Sequence, residues 1–370
     1  MRIGVVVHGP NIIDLGYALK LIDILKGYGN VKARLGGTMG RTAVIDASLE
    51  DVIDISRKLV PSDSLKIFHD DVDVIFLLNY GKSDVTGQVF GYKVYSHYVN
   101  KIPDDNIPII QIERPGEADG SIIPWNHNLD IVKDLSLKLN LDIVSPEEVY
   151  ERHIKQDSEG INQRVVHGVS PGENIMVNSV VIGKTNSDKL VLIAKDNHIV
   201  DIIGGELKIH GLEKLGEVNL DKAIIKTGLL RHAKVTPRVI ARDKSEDFKV
   251  TFLDHAGEDV YQFKDSNLVI TVGDDTTLIS SDILYRFDIP VIGITDGDLD
   301  KVVEDGFKVK NSIIFEVESG FDDVCGQNIK KEIFGDNVEV FDFKNIDEVK
   351  VKIEETIKNI NCKYNIKYIN

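Results

Sequence analysis

Cysteine is nearly missing from this chain, with only Cys325 and Cys362 in 370 residues. Two thiols cannot build a disulfide framework, and they are too few for a cysteine-based zinc or iron–sulfur site. The ten histidines show no pair at the helical spacing of zinc hydrolases. We therefore expect two idle or buried thiols and no haem, iron–sulfur or zinc cofactor.

Long apolar runs are also missing, since the longest are of strand length and a membrane-spanning helix needs about 20 residues. The N-terminal run, Ile3 to Val7, is short and is interrupted by His8-Gly9-Pro10-Asn11, so it fits a first core strand better than a secretory signal. These features predict a cytoplasmic protein that does not contact membranes.

Basic residues are fewer than acidic ones, with 44 Lys and Arg against 60 Asp and Glu and a net charge of −16. This balance argues against non-specific binding of nucleic acid, although a local basic pocket stays possible. The length exceeds that of one typical core and predicts two or three domains.

The spacing of apolar residues predicts an α/β protein in three parts. Residues 1–150 form a flavodoxin- or Rossmann-like domain with a mostly parallel sheet, residues 151–232 a β-rich middle domain, and residues 233–370 a Rossmann-like α/β domain. In detail, the pattern predicts a helix over Leu49–Leu59, a hairpin loop at Gly183–Asp188, a helix over Ile346–Ile360 and a peripheral tail from Cys362.

Each predicted strand of the N-terminal domain ends in a loop rich in glycine or polar residues. In a parallel sheet these loops share one edge, where glycines admit a ligand and helix N-termini add positive potential. The pattern predicts a site for a small anionic ligand such as a phosphate or carboxylate; the alternative is a set of tight turns. The candidate residues are His8, Gly9, Asn11, Gly37, Thr38, Gly40, Arg41, Thr42, Asn79, Lys82 and Arg114.

Two known phosphate-binding motifs can be excluded in these loops. Gly81-Lys82-Ser83 lacks the glycine that a P-loop requires five residues earlier, where Phe76 stands inside a strand. The glycines of Gly36-Gly37-Thr38-Met39-Gly40 do not have the spacing of the dinucleotide-binding fingerprint.

Two aspartate-rich strings follow predicted strands in the last third of the chain, Gly273-Asp274-Asp275 and Asp296-Gly297-Asp298. A strand–helix–strand unit is parallel and right-handed, so both strings should leave one edge of a sheet. Hard oxygen ligands suit Mg²⁺, which predicts a metal site of Asp274, Asp275, Asp296 and Asp298. Alternatively, Asp274 or Asp275 caps the following helix and Asp296-Gly297-Asp298 is a solvated turn.

Two residues, one near these strings and one within them, are candidates for catalysis. His255 follows the predicted strand Lys249–Leu253 and is the best acid/base candidate, because histidine titrates near neutral pH. Asp298 is the second.

Four stretches are distinctive, namely His8-Gly9-Pro10, Gly37 to Thr42, Gln111 to Pro115 and Ile294 to Asp298. Together they resemble an uncharacterised protein family of methanogenic archaea, and the resemblance covers essentially the whole chain. It implies an archaeal, cytoplasmic protein and transfers no catalytic residue. Separately, Asp296-Gly297-Asp298 resembles the Asp-x-Asp element of toprim domains, which bind Mg²⁺.

The leading hypothesis is a Mg²⁺-assisted enzyme that acts on a small phosphorylated or nucleotide-like substrate. The alternative is a non-catalytic ligand-binding, sensing, assembly or maturation protein, and either could be a homo-oligomer. One combined site would favour catalysis, whereas two separate sites would favour regulation.

Overall fold

The computed structural model divides the chain into two compact units, Met1–Val235 and Thr236–Asn370. The division into three domains stays a prediction. The structure describes residues 1–37, 39–103, 106–127, 129–151, 163–166, 169–178, 180–220, 223, 225–228, 236–241, 247–254, 260–297 and 306–369.

The first unit begins with a seven-stranded sheet in the order β3-β2-β1-β4-β5-β6-β7. Strands β1 to β5 are parallel, and β6 runs antiparallel to β5. Their interiors are rich in Val, Ile and Leu because both faces of a doubly covered sheet are buried. The strands are β1 (Arg2–His8), β2 (Asn30–Gly36), β3 (Ile53–Asp54), β4 (Val74–Asn79), β5 (Ile109–Glu113), β6 (Ser121–Pro124) and β7 (Asp142–Ile143).

Helices cover both faces of this sheet. Side chains of α1 (Asn11–Asp14), α2 (Tyr17–Lys26), α3 (Arg41–Asp46) and α6 (Asp130–Leu139) enter one hydrophobic core. Side chains of α4 (Pro61–Phe68), α5 (Asp84–Lys101) and α7 (Pro146–Val149) enter the core on the other face. The first five strands lie in the order β3-β2-β1-β4-β5, which is that of Rossmann folds. Strands β2 and β3 are added on one side of β1 and strands β4 and β5 on the other, so the strand order reverses between β1 and β4. Ligands of such sheets bind outside the carboxyl ends of the strands at this reversal.

The helix predicted over Leu49–Leu59 is wrong. The chain forms α3 earlier, turns, adds the short strand β3 and begins α4 only at Pro61. Proline is favoured at the first helical position and holds the preceding residue, here Val60 at φ −67° and ψ 156°, in an extended conformation. The apolar residues Leu49, Val52 and Ile53 fit a helical spacing, but the buried Ile53 is part of the sheet.

The β-rich part of the first unit contains two antiparallel sheets around a common core. One has the order β13-β10-β9-β14 and the other the order β12-β11-β8. The hairpin predicted at Gly183–Asp188 is wrong, because β10 and β11 belong to different sheets. The elements are β8 (Gln163–Val166), β9 (Asn174–Val177), β10 (Val180–Thr185), β11 (Leu190–Lys195), β12 (His198–Ile203), β13 (Gly205–Leu207), α8 (Ile209–Leu215) and β14 (Ile225–Thr227).

The second unit has a six-stranded sheet in the order β19-β15-β16-β17-β18-β20. Strands β15 to β18 are parallel, and the two outer strands are antiparallel to their neighbours. A 3₁₀ turn (Val260–Phe263) and a π-helical turn (Lys330–Phe334) join the longer elements. These are β15 (Val250–Asp254), β16 (Leu268–Val272), α9 (Asp274–Tyr285), β17 (Val291–Thr295), β18 (Ile313–Val317), α10 (Asp322–Ile329), β19 (Glu339–Val340), α11 (Ile346–Asn359) and β20 (Tyr364–Tyr368).

The tail is not peripheral, which corrects the expectation from sequence. Its residues Tyr364–Tyr368 form β20 and pair with β18, and Cys362 is buried in the core beside α11. Tyr364 and Ile366 pack against that core, so alternate side chains of the strand face inward. The mixed sheets, the β-rich middle and the covering helices confirm the predicted α/β fold class.

Candidate functional site

Three polar residues form a row across the carboxyl ends of β1, β4 and β5. The register pairs His8 with Asn79 and Asn79 with Glu113. All three lie on the face that α5 covers, and Glu113 has no exposed surface. The row therefore crosses the point where the strand order reverses, which is where this class of sheet binds its ligands.

Hydrogen bonds connect the row into one network. His8 Nδ1 lies 2.8 Å from Asn79 Oδ1, and Asn79 Nδ2 donates to Glu113 Oε2 at 2.8 Å. Gln111 Nε2 also donates to Glu113 Oε2 at 2.7 Å, and the Gly81 N–H donates to Oε1 at 2.6 Å. Three donors thus converge on a single buried carboxyl group, which is the arrangement that an ionised carboxylate requires.

Burial is the largest cause of the pKa shifts of Glu113 and His8, the two titratable residues of the row. It raises the pKa of Glu113 to about 7, although the bonds from Gly81, Asn79 and Gln111 and the charge of Arg114 oppose the rise. Burial lowers the pKa of His8 to about 4; the bond to Asn79 opposes this shift and the charge of Lys226 adds to it. Titratable groups with shifted pKa values at the carboxyl ends of parallel strands are typical of functional sites.

Two glycines of α5 make room for the buried carboxyl and amide groups. A Cβ atom on Gly87 would lie 2.0 Å from Glu113 Cδ, and one on Gly91 would lie 1.6 Å from Gln111 Oε1. Phe90, between them in sequence, stacks on the His8 ring with centroids 4.0 Å apart and planes 18° from parallel. The same helix therefore confines the carboxylate and fixes the imidazole plane.

The predicted glycine loops border this row. Gly9 and Gly37 have φ values of 78° and 95°, a left-handed conformation that favours glycine. A Cβ atom on Gly37 would lie 3.4 Å from His8 Cδ2, and one on Gly40 would lie 3.1 Å from the Gly9 carbonyl oxygen. The loops after β1 and β2 therefore lie side by side at His8.

The other predicted residues of this edge differ in their placement. Asn11 begins α1, and Arg41 and Thr42 begin α3 with buried side chains. Thr38 lies outside the described residues. Arg114 Nη1 donates to the Gly81 carbonyl at 2.6 Å, and its Nε donates to Asp119 at 2.9 Å. Arg114 therefore braces the loop after β4.

Lys82 connects this edge to the β-rich part of the same unit. Its Nζ forms an ion pair with the buried Glu173 and lies 3.1 Å from Thr227 Oγ1. Burial alone would raise the pKa of Glu173, but the bonds from Lys82 and from the Ser170 N–H outweigh it and hold this pKa below its usual value. Lys226 of β14 is close enough to His8 to affect its pKa. The β-rich part thus brings a cation to the polar row.

Sequence reasoning missed Glu113 and Gln111 as members of the site. Both are polar residues in an otherwise apolar five-residue strand, and they alternate on one face of it. Buried polar groups in such a strand need partners and so indicate a network. The alternation of polar residues on one face of this strand is therefore the sequence feature that indicates the network.

The second unit places Asp274, Asp275 and Asp296 at the carboxyl ends of neighbouring strands, because β16 and β17 are parallel. Asp274 and Asp275 lie in the first turn of α9, whose N-cap is Gly273 with φ 91°, so neither is the capping residue. Asp296 follows β17, and its Oδ2 accepts at 2.8 Å the N–H of Gly320, which lies in the loop between β18 and α10. His255 and Asp298 lie outside the described residues. Among the described residues, no group of three His, Cys, Asp or Glu side chains could hold a metal ion.

Comparison with known sequences identifies the family. Residues 5–337 match the family described as "Uncharacterized protein conserved in archaea (DUF2117)". The chain belongs to the DUF2117 family. A relative from Methanocaldococcus jannaschii, "Uncharacterized protein MJ0065", is 50% identical over 345 residues, which cover 90% of this chain and 92% of that protein. The match confirms the resemblance inferred from sequence, while the likeness to toprim domains stays a prediction.

No solved structure matches this DUF2117 protein. Within the part of the chain that the structure describes, no helix is both long and apolar enough to cross a membrane.

Proposed function

We propose that the carboxyl edge of the seven-stranded sheet binds a small phosphorylated or nucleotide-like ligand, and that the protein is an enzyme acting on it. The observation that carries the proposal is the row His8–Asn79–Glu113 at the reversal of strand order. A buried carboxyl group and a neutral histidine in one network are costly to maintain and are typical of acid–base sites.

The surroundings of the row favour an anionic ligand. Left-handed glycines let the backbone of these loops approach a ligand closely, and the positive charge of Lys226 acts on His8. A dinucleotide fits less well. Rossmann domains carry an acidic residue for the ribose after the second strand, whereas Gly36 and Gly37 stand there in this chain.

Thermal denaturation with a panel of nucleotides and sugar phosphates tests this proposal. A compound present at about 100 times its Kd should stabilise the protein by about 2.7 kcal/mol and raise its melting temperature. Lys226→Gln should weaken binding of that compound roughly tenfold, because it removes a charge-assisted contact. Lys189→Gln, an exposed lysine of the same part of the chain, should not. The proposal is contradicted if no compound raises the melting temperature, or if Lys226→Gln and Lys189→Gln lose affinity equally.

Turnover of a stabilising compound would then distinguish the enzyme from the alternative. Phosphorus NMR of the mixture should show the compound being converted over time. A compound that binds tightly and stays intact would favour a non-catalytic sensing or assembly protein. A cytoplasmic location and a homo-oligomeric state are also part of the proposal.

Mg²⁺ is proposed separately for the second unit, at Asp274, Asp275, Asp296 and Asp298. The described residues do not form a complete ligand set, so a site there would need Asp298, and no catalytic step is assigned to the metal. If it binds, Mg²⁺ should raise the melting temperature of the protein, and Asp296→Asn should abolish that rise.

The control for this test is Asp342→Asn, which changes an exposed aspartate of the same unit. It should keep the full response to Mg²⁺. An unchanged response in Asp296→Asn would place the metal elsewhere.

A further inference from the structure

The hydrogen bonds of the polar row determine which nitrogen of His8 carries the proton. An ionised Glu113 can only accept hydrogen bonds, so the Asn79 group that faces it at 2.8 Å must be the amide NH₂. Asn79 Oδ1 then faces His8 Nδ1 at 2.8 Å and can only accept. Nδ1 must therefore be the protonated nitrogen, and Nε2 carries a lone pair.

The His8 ring is held so that Nε2 faces the loop after β2. Phe90 stacks on one ring face, and a Cβ atom on Gly37 would lie 3.7 Å from Nε2. Because Gly37 has no side chain, the lone pair borders the glycine loops instead of a packed core. This is the edge at which the ligand is proposed to bind.

We propose that His8 Nε2 is the proton acceptor for the ligand bound at this edge, with Asn79 and Glu113 as positioning residues. The inference rests on the proposed function. In the step, Nε2 forms a bond to a proton from an O–H or N–H group of the ligand, and the electron pair of the broken bond stays on that ligand atom. The imidazolium keeps its Nδ1–H bond to Asn79, and the Glu113 carboxylate balances its charge.

The charged groups around this step agree with a base that is neutral at rest. The positive charge of Lys226 acts on His8 and disfavours the imidazolium. Arg114 is the charged neighbour of Glu113 and favours the carboxylate. The ionised carboxylate favours the imidazolium and so offsets part of the charge that the proton transfer places on the ring.

Nitrogen NMR of the full-length protein labelled with ¹⁵N-histidine tests the inference directly. In the wild type at pH 8, His8 should be at least about tenfold enriched in the Nδ1–H form, since only that tautomer makes the hydrogen bond to Asn79. His198, whose Nδ1 faces the Asp196 carbonyl at 2.9 Å, serves as a reference for this form in the same spectrum.

Glu113→Gln should reverse the preference of His8. The Gly81 N–H is fixed in the backbone and bonds to the oxygen of the introduced amide, so the NH₂ of that amide faces both Asn79 and Gln111. Both side-chain amides then flip to accept from it; Gln111 gives up its bond to the Gly87 carbonyl, and Asn79 donates to Nδ1 of His8. His8 then carries its proton on Nε2, while His198 stays unchanged. A merely structural Glu113 would leave the tautomer as it is.

Two results would overturn the inference, namely the Nε2–H form in the wild type or an unchanged tautomer in folded Glu113→Gln. The wild-type spectrum decides alone if the variant does not fold. Ligand-induced stabilisation is measured independently, so a compound that binds a protein with the wrong tautomer would contradict this inference and leave the proposed function intact.

Discussion

Glu113→Gln should gain stability relative to the wild type as the pH rises, by about 3 kcal/mol in total between pH 4.5 and pH 8. Burial raises the pKa of Glu113 from 4.5 to about 7, so between these values the folded protein binds a proton that the unfolded chain does not. Raising the pH then favours the unfolded chain, and the wild type loses stability until it passes the pKa of the folded state. Glutamine does not titrate and avoids this loss.

Titration of His8 changes the free energy of unfolding in the opposite direction, and it masks the effect of Glu113 in the wild type. Its pKa is lowered from 6.5 to about 4, so the unfolded chain binds more protons than the folded protein in that window. Its stabilising contribution is present above pH 6.5 and is lost as the pH falls toward 4. The two groups nearly cancel between pH 4.5 and 6.5, so the difference between variant and wild type is the informative quantity.

Urea denaturation followed by the fluorescence of Trp125 measures this difference. Trp125 is the single tryptophan of the chain and is buried in the first unit, so it reports on the unit that contains the row. Glu147→Gln, which changes an exposed glutamate of the same unit, should follow the wild type at every pH. A constant difference between Glu113→Gln and the wild type would contradict the buried, titrating carboxyl group.

Gly87→Ala should destabilise the first unit by about 1–3 kcal/mol, although alanine is the better helix former. Its Cβ atom would lie 2.0 Å from Glu113 Cδ, and the carboxyl group cannot retreat without giving up the bonds from Asn79 and Gly81. Overpacking should therefore outweigh the helical gain of about 1 kcal/mol.

The control is His97→Ala, which changes an exposed residue of the same helix and should alter stability by less than about 0.5 kcal/mol. Trp125 fluorescence again reports the transition. If Gly87→Ala were as stable as the wild type or more so, the close packing of α5 on Glu113 would be wrong.

The central parallel strands of the two largest sheets can be predicted from sequence, because strands buried on both faces are continuous apolar runs such as Val74–Leu78 and Leu268–Val272. The outer strands β3 and β20 are not predicted, because their sequences fit a helix and a peripheral tail. The order of strands could not be predicted. Parallel neighbours are brought together by packing across the sheet, and nothing in the local sequence of β1 or β4 indicates that they pair. The reversal between them, and with it the position of the candidate site, is visible only in the fold.

The candidate site was predicted in part. His8 and Asn79 were named because they end strands, and the structure brings them into contact. Glu113 is not indicated by the sequence, because an acidic residue at the end of an apolar strand is typical of the start of a loop. In the structure, three hydrogen-bond donors stabilise its carboxyl group in a buried position. Lys82 was expected to hold the ligand, but the β-rich part, which lies about 90 residues later in sequence, supplies Glu173 as its ion-pair partner.

Backbone amide NMR of the full-length protein during titration with the nucleotide and sugar phosphate panel tests the central claim most directly. If the polar row at the reversal of strand order is a ligand site, at least one compound should shift the resonances of Gly9, Gly37 and Gly81 together with the His8 side chain. Shifts confined to other parts of the chain, or none with any compound, would contradict it.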